Sequence, residues 1–142
     1  MHATTTRIDR RTELALAAAT VELTLITAFI HLTLGGALFT LNALGYAGLA
    51  AALAVSTLRH PWVRQLAWLP RIGLAGYTAA TIGAYLVMGP YFTLGWVAKG
   101  VEIAILTLVL ADLFLRYGSP RELLEQMLAT VRRHGRTGSL AS

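Results

Sequence analysis

The stretch Arg59-His60-Pro61-Trp62-Val63-Arg64-Gln65-Leu66-Ala67-Trp68-Leu69-Pro70-Arg71 decides how this chain is read. Three arginines, two prolines and two tryptophans fall within thirteen residues, between two predominantly apolar runs. Proline breaks helices and tryptophan prefers the headgroup zone of a bilayer, so the segment reads as a connection lying flat on a membrane surface. Outward from it the pattern repeats. Arg7, Arg10 and Arg11 precede the first apolar run, and Arg116, Arg121, Arg132, Arg133 and Arg136 follow the last. The other two connections carry neither Lys nor Arg. Basic loops are retained on the cytoplasmic side of a membrane, so this alternation predicts both termini inside.

Composition agrees. The chain of 142 residues is 56% hydrophobic and only 13% charged, with a mean hydropathy of +0.60. Soluble domains carry about 25% charged residues. The spacing predicts an all-α integral membrane protein, a four-transmembrane-helix antiparallel bundle with spans at about 14–34, 41–58, 72–88 and 96–115. A cytoplasmic N-terminal tail occupies 1–13, an amphipathic cytoplasmic helix 118–135 and a disordered tail 136–142. The first run is too long for a cleavable leader and is followed almost at once by the next, so it is expected to be a span. The excess of eleven arginines over one lysine points to a bacterial plasma (inner) membrane. The net charge of +5 flanks the spans and so predicts anionic lipid headgroups as partners, not nucleic acid. With no cysteine, disulfides, thiolate metal sites and cysteine nucleophiles are excluded.

Local signals refine this outline. Gly35 and Gly36 suit a tight outer turn, since glycine tolerates positive φ. Ser119-Pro120-Arg121-Glu122 is a capping box with proline at N1, a specific helix start. Leu124, Met127, Leu128 and Val131 then share one face, against Glu125, Gln126, Arg132 and Arg133 on the other, until Gly135. That helix is expected at the inner interface, or docked on a partner. Ala43, Ala47, Gly48, Ala51 and Ala52, and likewise Gly76, Ala80 and Ala84, form small-residue faces whose simplest use is helix packing within the chain. Gly36-Ala37-Leu38-Phe39-Thr40-Leu41 is echoed by Gly89-Pro90-Tyr91-Phe92-Thr93-Leu94, and each is soon followed by Gly and an aromatic. The echo raises the possibility of two related helical hairpins. Trp62, Trp68 and Trp96 are the expected interfacial anchors.

Polar residues inside spans are costly, at least ~2.5–3.5 kcal/mol for a charge at mid-membrane, and so mark candidate sites. They are Glu22 and His31 in the first span, Asn42 in the second, and Lys99, Glu102 and Asp112 in the fourth. Glu22 lies about 12 Å along its helix from Leu14, near the midplane, and has no basic residue in its own span. Nine steps of about 100° put His31 on the opposite side of that helix, nearer the outer edge. Glu22 shares its side with Leu25, Ile26 and Phe29. Lys99 and Glu102, three apart, meet on one face roughly 5 and 9 Å below Trp96. Topology then allows one outer cluster of His31, Asn42, Tyr85, Lys99 and Glu102. Asp112 lies near the inner end, within reach of Arg59, Arg71 or Arg116. Each residue also has a plainer use: a self-neutralised pair, an interfacial imidazole, a helix start, an interfacial salt bridge.

Three functions stay open. The most economical is a non-catalytic accessory or homo-oligomeric membrane subunit. The second is an oligomeric transporter or channel for a small solute or proton, using Glu22 and the outer cluster. The third is a lipid-, quinone- or pigment-binding protein, with a cleft between the hairpins. His31 is the only histidine inside a span, which argues against a bis-His heme in one chain, and no metal-ligand set or catalytic triad is legible. An enzyme is not expected, and no cofactor is specified.

Overall fold

The computed structural model describes residues 9–58 and 60–138. Expectations that concern residues 1–8, Arg59 and 139–142 fall outside the described residues. The protein is all-helical, 88% helix, with no strand among the described residues. The elements are α1 (Arg10–Leu34), α2 (Ala37–Val55), α3 (Pro61–Gln65), α4 (Trp68–Met88), α5 (Thr93–Tyr117) and α6 (Pro120–Gly138).

Four long helices, α1, α2, α4 and α5, pack together as the body of the protein, and α6 follows them. α1 lies against α2 and α5, α4 lies against α5 and α2, and successive long helices run antiparallel. The first turn is made by Gly35 and Gly36, with φ of 70° and 84°, values that an L side chain rarely adopts. Helix formation begins a few residues earlier than hydropathy alone indicates: α1 opens at Arg10, α2 at Ala37 and α5 at Thr93. A helix needs a start signal and backbone hydrogen bonds, and neither stops where lipophilicity does. The connection expected to lie flat contains a short helix, α3, with Pro61 in its first turn.

By length and composition two helices, α1 and α2, are apolar enough to cross a membrane. α4 and α5 carry Arg71, Lys99, Glu102 and Asp112, and all four of those side chains point inward and are buried. The interior therefore holds charged and hydroxyl groups beside its apolar side chains. On α1 the buried line is Ala17, Thr20, Thr24, Thr27, Ala28 and His31, while Leu25, Ile26, Phe29 and Leu32 face out. Two of its threonines bond their own helix, Thr20 Oγ1 donating to Leu16 O at 2.7 Å and Thr24 Oγ1 to Thr20 O at 2.6 Å, whereas the buried Thr27 hydroxyl has no hydrogen-bond partner. An apolar core of Ala28, Tyr46, Leu53, Leu74, Ile105, Val109 and Leu113 fills the middle of the ring.

The two echoed glycines after the Phe-Thr-Leu segments have a common use. A Cβ on Gly45 would strike the ring and hydroxyl of Tyr77, and one on Gly95 would come within 2.5 Å of the Tyr85 hydroxyl. Each glycine thus makes room for a tyrosine of α4. The small residues of α4 behave otherwise: Gly76, Ala80 and Ala84 are exposed, so they do not serve packing within the chain.

The capping box forms as its sequence dictates. Glu122 N donates to Ser119 Oγ and Ser119 N to the Glu122 carboxylate, each at 3.2 Å. The helix continues to Gly138, three residues past Gly135, so residues 136–138 are helical and not part of a disordered tail. Leu123 turns toward α5, while Leu124, Leu128 and Val131 stay exposed. Ser119→Ala is expected to destabilise the first turn of α6 by about 1 kcal/mol. Hydrogen exchange of the amides of residues 122–124 should then rise about fivefold; unchanged exchange would mean that the cap contributes nothing.

Candidate functional site

The centre of the site is Glu102, whose side chain has no exposed surface. It sits on α5, three residues after Lys99, so both side chains leave the helix on one face. Lys99 Nζ lies 2.5 Å from Glu102 Oε2. Thr81 of α4 reaches the same oxygen at 3.1 Å, and Tyr46 of α2 meets the Thr81 hydroxyl at 2.7 Å. Lys99 Nζ also stands over the Tyr85 ring, 5.3 Å from its centroid. One carboxylate thereby engages three of the long helices, directly or through a hydroxyl.

The fourth helix arrives through His31. Its Nδ1 is 2.8 Å from Thr27 O, and a carbonyl only accepts, so that nitrogen carries the hydrogen. Nε2 then faces Glu102 Oε1 at 3.6 Å, and Oε1 is buried with no hydrogen bond. In a neutral ring opposite an ionised carboxylate, two lone pairs would confront each other.

Above this floor lies a cavity of about 430 Å³ between the outer halves of α2 and α4, within the size range of small-molecule sites. Its walls are largely apolar, from Leu34, Leu38, Phe39, Leu41, Ala84, Met88 and Phe92. Its polar groups are few: His31, Lys99 and Thr81 at the base, with Asn42 and Tyr77 to one side. Tyr77 donates to Asn42 Oδ1 at 2.6 Å, which directs the amide's acceptor away and leaves its NH2 as the donor. Both echoed phenylalanines, Phe39 and Phe92, line the cavity. At its outer end Tyr85, Tyr91 and Trp96 form an aromatic group, with Tyr91 and Trp96 stacked at 6.1 Å. Leu38 and Met88 are 77% and 78% exposed, so the cavity opens sideways through an apolar rim. One imidazole and one carboxylate already neutralised by an ammonium suit an organic head group better than a metal ion.

The other end is closed by a second polar network. Arg71, 1% exposed, donates through Nε to Asp112 Oδ2 at 2.6 Å and through Nη1 to Ser56 Oγ at 3.0 Å and to Ala67 O. Asp112 Oδ1 accepts from Arg116 Nε at 2.7 Å, and Arg116 Nη1 reaches Glu13 at 3.0 Å. Asp112 thus binds two of the three arginines considered for it, with Arg59 outside the described residues. It is a buried tie between α4 and α5 and not a surface pair.

The structure brings His31, Lys99, Glu102 and Tyr85 together, with Asn42 on the cavity wall. Glu22 does not join them. It is exposed on the outer face of α1 beside Leu25, Ile26 and Phe29, the side that helix geometry assigns to it. Trp62 and Trp96 are exposed, as anchors would be, and Trp68 is half-buried. Sequence reading missed Tyr46, Tyr77 and Thr81. Hydroxyls carry no charge to betray them, and their only signal was their place on the inner line of α2 and α4. No known protein family, curated protein or solved structure matches this chain.

Removing one member of a buried ion pair leaves the other charge uncompensated, at a cost of about 3–5 kcal/mol. Asp112→Leu is therefore expected to lower the unfolding free energy in detergent by that amount, and Arg71→Met with Asp112→Leu to recover most of it. A single variant as stable as the parent would refute the buried tie.

Proposed function

We propose that this protein crosses a bilayer four times with both termini cytoplasmic, and holds in its outer cavity an amphipathic small molecule of the quinone class. The topology draws support from where the charges fall. Arg10, Arg64, Arg71, Arg116 and Arg121 gather at one end of the four long helices, and the outer turns at Gly35-Gly36 and Gly89–Phe92 have none. The charged groups of α4 and α5 are buried in pairs, the arrangement that lipid requires. A bacterial plasma membrane, with anionic headgroups at the arginine-rich end, is the setting we assign.

The observation that carries the functional reading is the cavity: apolar walls, a sideways apolar mouth, and a floor of hydrogen-bond donors. A quinone offers two carbonyl acceptors on a flat ring and an apolar tail. Lys99 Nζ and the Asn42 amide can donate to the carbonyls, while Phe39, Tyr85 and Phe92 flank the ring and the tail leaves between Leu38 and Met88. His31 lies in the same floor, with Glu102 buried behind it. This reading ranks above the more economical one, a purely structural accessory subunit, because a subunit needs no polar floor beneath an open cavity. Proton transport through Glu22 gains no support, since Glu22 faces away from every group of the site. Association of copies is a second reading, favoured by the exposed Gly76, Ala80 and Ala84 of α4.

Titration of the protein in nanodiscs with a short-chain quinone, followed by tryptophan fluorescence near Trp96, tests the reading. Saturable quenching is expected. A hydrogen bond to a charged group contributes about 1.5–3 kcal/mol, so Lys99→Met should weaken binding roughly 10- to 100-fold. Ala84→Trp, which fills the cavity without touching the charged groups, should abolish binding while leaving the helical circular dichroism unchanged. Quenching that survives Ala84→Trp would overturn the assignment.

A further inference from the structure

The opposite end of the molecule contains a second cavity, about 600 Å³, that the reading above does not use. Arg10, Glu13, Ser56, Thr57, Arg64 and Arg116 line it, drawn from the start of α1, the end of α2, α3 and the end of α5. Three guanidinium groups therefore face one carboxylate, and that carboxylate, Glu13, is already held by Arg116 at 3.0 Å. Arg10 and Arg64 are exposed at the rim, and neither forms an ion pair among the described residues.

A second feature of this end points the same way. Arg71 lies directly behind the wall, hydrogen-bonded to Ser56 and Ala67, both of which line the cavity. It is 1% exposed, yet its Nη2 has no hydrogen-bond partner, and neither has the buried Nη2 of Arg116. Buried N–H donors on a cation are expensive to leave without an acceptor. Asp112 accounts for one cation's charge, but its two oxygens are taken by the Nε atoms of Arg71 and Arg116. What remains is an excess of two positive charges and two unused guanidinium edges, that of Arg116 in the cavity lining and that of Arg71 behind it. Planar guanidinium forks match the oxygen geometry of phosphate, which offers several acceptors and up to two negative charges.

We propose that this inner cavity binds a phosphate-class oxyanion, carried either by an anionic lipid headgroup or by a free phosphate in solution. The site is separate from the outer cavity and does not depend on the quinone assignment. Glu13 is the sole carboxylate among the lining residues, and its bond to Arg116 keeps it from repelling the ligand.

The test uses the intact chain in two arms. In nanodiscs of equal phosphatidylglycerol and phosphatidylcholine, native mass spectrometry reads which lipid stays bound on release. In nanodiscs of phosphatidylcholine alone, calorimetry reads binding of inorganic phosphate, with chloride as the control anion. Retention of phosphatidylglycerol over phosphatidylcholine by about tenfold or more assigns the site to a lipid. Saturable phosphate binding without lipid preference assigns it to a solute. In either case Arg10→Gln with Arg64→Gln should cut the measured preference or affinity about tenfold. Both residues are exposed and outside the Asp112 network, so the thermal unfolding midpoint should stay near the parent value. Neither lipid preference nor phosphate binding, or a double variant that binds like the parent, would overturn the proposal.

Discussion

A carboxylate taken out of water must be compensated where it stands, and Glu102 imposes that requirement on the whole outer half of the protein. Its neutralisation by Lys99 is local to α5, but the other groups around its two oxygens come from elsewhere. Thr81 brings α4, Tyr46 brings α2 through Thr81, and His31 brings α1. Helix rotation, otherwise free in a set of apolar cylinders, is thereby fixed. His31, Thr81 and Lys99 of this set also form the floor of the outer cavity, so the groups that orient the helices are the ones a bound molecule would meet. The small residues Gly45 and Gly95 complete this by letting Tyr77 and Tyr85 lie against α2 and α5.

The inner half repeats the device with different residues. Asp112 receives Arg71 and Arg116, and Arg116 carries the connection on to Glu13 at the start of α1. Between the two polar ends lies the apolar core around Leu74, Ile105 and Val109. Outside are leucines, valines and phenylalanines that in water would form an aggregation-prone surface. Under the four-span reading proposed above, lipid accepts that surface without cost, whereas each charge left unpaired there would cost at least ~2.5–3.5 kcal/mol on insertion scales.

Much of this was legible in the sequence because it depends on spacing along single helices. Helix rise placed His31, Asn42, Tyr85, Lys99 and Glu102 at the same end, and the 100° step separated Glu22 from His31; the structure has the same arrangement. The capping box at Ser119 was legible for the same reason, being local. What one sequence does not encode visibly is rotation about each axis relative to neighbours. Hence the depth of burial of the Asp112 pairs was not legible, nor that Gly76, Ala80 and Ala84 are exposed, the two alanines along the wall of the outer cavity. Hydroxyl partners such as Thr81 were hidden because threonine is common on apolar helices, where it usually bonds its own backbone.

The central claim is that the arginine-rich end and the cavity end lie on opposite sides of a membrane. The chain lacks cysteine, so single cysteines can be introduced on a clean background. The most direct measurement is labelling of intact cells with a membrane-impermeant maleimide, using Ala37→Cys and Pro90→Cys at the cavity end, and Thr57→Cys and Arg121→Cys at the other. The account predicts labelling of the first two in intact cells and of the second two only after the membrane is opened. Equal labelling at both ends, or the reverse pattern, would contradict it.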